Sequence, residues 1–417
     1  MNDAAANRGD GADRVDMRDP GWRADPHPLL RELRERSAVA RDVLGIWLVG
    51  RHADVNVGLR STKLSREPWR APVYRQLRPF IADSPMEVMV EQWMLFNDPP
   101  KHTRLRRLAN QAFRPPVIDA MTERIEAVAD ELIDALPADG TFDLMTDFAQ
   151  PLPVRVICDV LGLPARDFAA TKAWSDALAL IVEPVRRRAD LEAAGRAAQE
   201  MADYLRTHIA RHRSEGRRDD LLGALVAAQD DGSLSDDELL GNLILLFVAG
   251  HETTTNLIGN GVATLLRHPG ELARLRKDPS LGETAVNEML RYEGSVNFIA
   301  RHPIEPYRIG DFTIEPGETI FFMLGAANRD PTAFADPERF DIGRTPNHQL
   351  GFGAGIHFCI GAPLARLEAR IALNRLLARF PVLEGVDEAP RWRRLINLRG
   401  LEALNLRALA SLNPIGT

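Results

Sequence analysis

Gly351-Phe352-Gly353-Ala354-Gly355-Ile356-His357-Phe358-Cys359-Ile360-Gly361-Ala362-Pro363-Leu364-Ala365-Arg366 is the stretch around which the rest of the chain is organised. Glycines at 351, 353, 355 and 361 surround one cysteine, and no hydrophobic period of a helix or strand survives among them. Residues 363–373 then carry apolar positions at helical spacing, with Pro363 where a first helical turn tolerates it. A glycine loop therefore delivers Cys359 to a helix N-terminus, where free N–H groups and the helix dipole favour a thiolate over a thiol. Glycine also lets the main chain approach something flat and bulky that a Cβ would exclude. A lone cysteine is ordinarily a buried, inert residue. The glycine spacing, His357 two residues before it and the helix just after it argue otherwise here.

A thiolate beneath a bulky prosthetic group points to haem iron, whose axial thiolate promotes O–O cleavage. The pattern Phe352-Gly-x-Gly355-x-His357-x-Cys359-x-Gly361 resembles the haem-binding loop of the cytochrome P-450 family, the haem-thiolate monooxygenases. The resemblance implies a mainly α fold with small β-sheets, with haem b between a long central helix and the cysteine loop. It implies Cys359 as the metal ligand and Phe352, His357 and Gly361 as cofactor contacts. Dioxygen would be the co-substrate, and electrons from NAD(P)H would arrive through a separate ferredoxin and its reductase.

No Pro/Gly/Ser-rich linker or internal repeat divides the 417 residues, so residues 20–417 read as one domain. With 45% hydrophobic and 27% charged residues the composition is that of a soluble globular protein. A net charge of −7 argues against general nucleic-acid binding. Cys158 and Cys359 are the only cysteines, too few for a disulfide framework, which fits a reducing cytoplasm. Residues 1–19 are polar without an apolar core, so they read as a disordered tail and neither a signal peptide nor a membrane anchor. By resemblance this is the soluble bacterial type, a monomer. The residues after Cys359 are too few for a fused flavin or iron–sulfur domain.

Along the chain, residues 28–37 and 52–60 read as helices and 38–49 as a strand hairpin. Residues 61–97 hold four prolines and no period, a long irregular segment of the kind that is usually functional. In the family the corresponding loop covers the substrate, which makes Val73, Phe80, Ile81, Met86 and Met89 pocket candidates. Arg66, Arg70, Arg75 and Arg78 in the same loop leave an anionic substrate open. Asp98 is a cap candidate for the next helix, on which His102 and Arg106 share a face. Two cations on one face suit an anion, the alternative being a solvated basic face. The family resemblance of Asp98-Pro-Pro-x-His102-x-x-x-Arg106 implies that they bind haem propionates. Residues 118–232 are helical almost throughout, and the parts near 168–184 and 189–212 look like the helix pair that lids the family's pocket. Cys158, in an apolar run, is simplest as a core residue.

Ser235-Asp236-Asp237-Glu238 is a capping box opening a helix that runs to residue 267, on the order of 50 Å long. Residues 243–249 are apolar on every side, and Ala249-Gly250-His251-Glu252-Thr253-Thr254 follows. Glycine there costs about 1 kcal/mol, and a buried acid more, so the conflict asks for a functional explanation. Thr253 is spaced to bond the Ala249 carbonyl, and Gly250 to leave room for a small ligand. A polar patch meeting another helix is the alternative. The run resembles the family's oxygen-activation motif, which implies a proton relay through Thr253 and Glu252, Ala249 and Gly250 against the cofactor, and Leu246 near substrate.

Glu288 and Arg291 form an i, i+3 pair, ordinarily a surface contact. With Arg339 of Pro337-Glu338-Arg339-Phe340, the resemblance implies a buried network bracing the cysteine loop. A strand-rich section over 296–322 follows, where Arg301 matches a propionate-binding arginine and Val296, Asn297, Phe298 and Ile299 would face substrate. Ile396 joins that set, and residues 399–404 read as a closing hairpin. The chemistry expected is oxygen insertion into a small, largely apolar substrate by hydroxylation or epoxidation. A peroxide-driven peroxygenase would typically lack the acid–threonine pair, and a haem sensor or carrier would not need it. Lys101, Arg104, Arg107 and Arg114, with no acid between 101 and 114, form a basic strip suited to an acidic redox partner.

Overall fold

The computed structural model describes residues 14–71, 74, 85–164, 167–184, 187–216 and 221–409. One helix, Asp236–Arg267, organises them. The Ser235 hydroxyl accepts the Glu238 N–H while the Glu238 carboxylate accepts the Ser235 N–H, so the capping box forms as expected. Nearly every residue from Glu238 to Leu265 is buried, which explains why the helix is apolar around its whole circumference. Pro85–Gln92, Pro151–Val160, Phe168–Ala179 and Ala362–Arg379 pack directly on it.

The β structure sits to one side. A six-stranded sheet runs in the order Arg14–Val15, Ala40–Asp42, Trp47–Val49, Ile320–Met323, Phe298–Pro303, Leu64–Ser65. Ile320–Met323 is parallel to Trp47–Val49 and antiparallel to Phe298–Pro303. All four of its residues are buried, hence its unbroken apolar run. A second sheet joins Val382–Gly385, Asn405–Leu409 and Gly140–Asp143. Among the described residues no helix is long and apolar enough to cross a membrane.

Three expectations need correction. Residues 14–19 are not a disordered tail: Arg14–Val15 pairs with Ala40–Asp42, and Val15 and Met17 are buried beside Trp22 and Leu30. Two well-placed apolar side chains suffice there, although the average composition is polar; residues 1–13 lie outside the described set. The segment 61–97 is more regular than its prolines suggested, since Pro85 begins the helix Pro85–Gln92. Residues 399–404 make no hairpin. Leu401–Ala403 pairs with Arg391–Trp392, and Asn405–Leu409 pairs elsewhere, because Leu404 alone between them cannot reverse the chain.

Candidate active site

Between the central helix and the cysteine loop lies a largely apolar cavity of about 280 Å3. Leu246, Ala249, Gly250, Glu252 and Thr253 line it from the helix, and Phe352, His357, Cys359 and Gly361 from the loop. His102 and Arg106 reach it from the helix Lys101–Ala109. The structure thus brings the expected relay, the cysteine, His102, Arg106 and His357 to one space, while Arg301 is buried beside Arg66 without lining it.

His102 and Arg301 are buried, and the half-buried Arg66, Arg106 and His357 gather with them. The His102 and His357 rings lie 4.2 Å apart, and His102 Nδ1 is buried with no hydrogen-bond partner among the described residues. Burial, reinforced by the neighbouring arginines, holds His102 down to about 4 and His357 to about 2. Burial likewise lowers Arg301 to about 9 and Arg66 to about 10, with Asp98 the one carboxylate opposing it. The imidazoles are thus held neutral, and the positive charge left on Arg301, Arg66 and Arg106 in this partly desolvated space is costly unless an anion enters. Two carboxylates of a haem would supply that anion, so the residues fit the group. Arg66, read from the sequence as one of four loop arginines that leave an anionic substrate open, lines this cavity instead as a member the sequence did not assign to the cofactor. Asp98, expected as a helix cap, instead accepts from the Ser65 hydroxyl and the Arg66 N–H and so pins Arg66 here. Arg106 also donates to the Phe358 carbonyl at 2.7 Å and so braces the cysteine loop.

The Cys359 N–H donates to the Phe352 carbonyl at 2.9 Å, closing the loop. Burial pushes the Cys359 thiol above its ordinary value, opposed by the Gly361 and Ala362 N–H groups and by Arg106 and Arg366. Burial thus opposes the helix N-terminus at this thiol, and a bound metal ion would favour the thiolate. Nor do all the loop glycines face a ligand. Gly355 has φ +73°, and a Cβ there would lie 2.7 Å from the Leu59 carbonyl oxygen, so it serves packing on the helix His52–Arg60. At Gly361 the nearest atoms stand 4.0 Å away, which leaves open space toward the cavity.

On the central helix, the Thr253 hydroxyl donates to the Ala249 carbonyl at 3.0 Å. Gly250 has another explanation than room for a ligand, since a Cβ there would meet the Ile157 side chain at 3.0 Å. Glu252 is buried, ion-paired with Arg393, and faces a second, polar cavity of about 200 Å3 as well as the first. Lys172, Asp176, His251 and Arg393 line that second space. Ligand atoms of Asp176, His251 and Glu252 approach within 4.8 Å of one another. Lys172, 2.6 Å from Asp176, and Arg393 already neutralise both carboxylates, so no charge there calls for a metal. The sequence had singled out neither His251 nor Arg393.

Glu288 and Arg291 are fully buried and joined by two hydrogen bonds of 2.7 and 2.8 Å. The second arginine of this network is Arg344, 3.1 Å from Glu288, and not Arg339. Arg339 contributes only its backbone carbonyl, which accepts from both Arg291 and Arg344, while its side chain is exposed. The likeness of Pro337-Glu338-Arg339-Phe340 to the family pattern misdirected the assignment by five residues.

Of the substrate-facing candidates, Leu246, Val296, Phe298 and Ile299 line the first cavity. Met86 and Met89 are buried in the main core instead. Asn297 turns its amide to the Ile396 carbonyl, and Ile396 packs beside Trp22 and Phe298, so neither lines the cavity. Val73, Phe80 and Ile81 lie outside the described residues. Met94, Leu95, Val182, Asn397 and Leu398 line it in their place.

Comparison with known proteins agrees with this geometry. Residues 173–398 match the family described as Cytochrome P-450. The chain is 42% identical to cytochrome P-450 monooxygenase PikC of Streptomyces venezuelae, covering 92% of this chain and 91% of that one. It is 38% identical to 6-deoxyerythronolide B hydroxylase of Saccharopolyspora erythraea, over 94% and 98% respectively. The solved structure of CalO2 superposes with a TM-score of 0.90 at 32% identity, covering 95% of this chain and 99% of that one.

Proposed function

Because the chain belongs to the cytochrome P-450 family, oxidoreductases that work with haem b, dioxygen and electrons from NAD(P)H, we propose that it oxygenates a bulky, largely apolar secondary metabolite of the polyketide kind. The observation that carries this reading is the one cavity shared by Cys359, the Thr253–Glu252 pair and the guanidiniums of Arg66 and Arg106. The polyketide class is supported by the likeness to 6-deoxyerythronolide B hydroxylase.

Cys359 would hold the iron, and His102, Arg106, Arg301, His357 and Arg66 the propionates, with Ala249, Gly250, Phe352 and Gly361 against the ring. When bound, haem with a thiolate ligand activates dioxygen and favours O–O cleavage. The protein's own part is positioning and proton supply. Glu252 faces both cavities and so can carry protons from the polar one toward the Thr253 hydroxyl, whose remaining lone pairs are free to accept. Leu246, Val296, Phe298 and Ile299 hold an apolar substrate and exclude water. A ferredoxin with its reductase would deliver the electrons to a monomer in the cytoplasm. The acid–threonine pair favours this dioxygen chemistry over a peroxide-driven one.

The test is the spectrum of the reduced protein under carbon monoxide. A far red-shifted Soret band, lost in Cys359→Ser, is expected; a histidine-type band from fresh protein would end the assignment. Compounds that shift the ferric haem to high spin should then give products carrying one atom of labelled dioxygen. Turnover with peroxide alone would overturn the dioxygen reading.

A further inference from the structure

Val182 and Glu183 lie between the two helices Phe168–Ala179 and Arg188–Glu215, and Ala179 and Val182 line the substrate cavity. Glu183 is buried, and its carboxylate reaches across to a turn near the C-terminus. Three consecutive N–H groups converge on it: Ile396 at 2.7 Å, Asn397 at 3.1 and 3.2 Å, and Leu398 at 2.9 Å. The Asn397 amide returns a bond to the Val182 carbonyl at 3.3 Å, and its oxygen accepts the Phe298 N–H at 3.1 Å. Asn397, Leu398 and Phe298 line the cavity. One carboxylate thus joins the covering helix pair to the turn and strand that shape the opposite wall.

We propose that Glu183 is a positioning residue, a latch that holds the helix pair closed over the substrate and sets Asn397 and Leu398 against it. A carboxylate accepting several backbone N–H groups makes charge-assisted bonds that act together. Moving the helix pair aside exposes all of them at once, so entry and exit of a bulky ligand pass through their rupture. A ligand small enough to enter without that movement is indifferent to it. Substitutions at Glu183 therefore act on ligand exchange and on which ligands fit, without touching the iron. The inference rests on the cavity being the substrate's, and intact reduced carbon monoxide spectra keep the two questions apart.

The ferric holoprotein is mixed with 4-phenylimidazole in a stopped-flow instrument, with imidazole as the small control, and the Soret shift gives both rates. Glu183→Gln places an N–H2 where donors converge and should release 4-phenylimidazole about tenfold faster. Glu183→Asp should fall between the variant and the wild type, and imidazole rates should stay within about twofold. Unchanged 4-phenylimidazole rates in a Glu183→Gln holoprotein with a normal reduced carbon monoxide band would overturn the latch. Should that variant not fold, hydrogen exchange of the wild type decides. Amides 396–398 must open together with 180–183 and slow together when 4-phenylimidazole is bound; independent opening overturns the proposal.

Discussion

Glu368, on the helix Ala362–Arg379, is 2% exposed, lines the main cavity and leaves Oε2 without a hydrogen-bond partner among the described residues. Burial raises its acid well above the ordinary value of 4.5, because desolvation disfavours the charged carboxylate. A carboxyl raised on folding contributes stability that is fully present below the unfolded value and lost as the pH climbs through the folded one. Over that window wild-type stability should fall by about 1.4 kcal/mol per pH unit from this group, whereas Glu368→Gln escapes the loss. The melting temperature of the variant relative to wild type should therefore rise as the pH climbs above the ordinary carboxylate value. A constant difference over that climb would mean an ionised carboxyl in the folded state. Glu368 was invisible in the sequence for the same reason as Arg66 and Glu183. A charged residue at a helical or loop position reads as solvated, and what buries it comes from distant parts of the chain. Cys359 and Thr253 were legible because their residue types conflict with their immediate neighbours.

At the scale of the element, the helix Gly282–Tyr292 shows why a local pair is easier to find than its partners. Glu288 and Arg291 are one turn apart, and helical periodicity alone brings them together. What buries them arrives from 37 to 59 residues away: the Arg291 guanidinium meets the carbonyls of Asn328, Pro337 and Arg339, and Glu288 accepts from the Asp341 N–H and the Asn347 amide. The carbonyls carry no side-chain signature, which is why Arg339 could be mistaken for a member by its side chain. Arg344→Ala removes one partner of a buried carboxylate and should destabilise the protein by on the order of 3 kcal/mol, with poor haem retention. Arg339→Ala should stay within about 0.5 kcal/mol of wild type, as an exposed substitution does. Haem content and melting temperature measured side by side decide it; equal losses would restore Arg339 to the network. The central helix, by contrast, was legible end to end, because its capping box and the His268-Pro269 break are both local signals.

For the molecule as a whole, the proposed electron supply demands a docking face on the cysteine side, and the structure redraws the one expected. Arg104 is not available to a partner: it grips Glu238 at the start of the central helix and the Ser233 carbonyl. Lys101 is likewise held, by the Glu91 carbonyl and the Gln92 side chain. Arg107 and Arg114 remain exposed on the same basic strip. The neighbouring Arg106 is bonded to Phe358, so the strip abuts the cysteine loop. Ile356 and Phe358, large apolar side chains of that loop, are 56% and 41% exposed. Exposed apolar side chains beside a basic strip suit a brief encounter with an acidic protein, because the charge steers and the apolar contact seats. Reversing Arg107 and Arg114 to Glu should slow reduction of the holoprotein by an acidic [2Fe–2S] ferredoxin by roughly tenfold at low salt, an effect that fades as salt screens the charges. Binding of 4-phenylimidazole should be unaffected, since the distal cavity is untouched. Arg104→Glu should act differently, placing a second acid against Glu238 and lowering the melting temperature. Reduction that responds neither to the reversal at 107 and 114 nor to ionic strength would move the electron entry to another face.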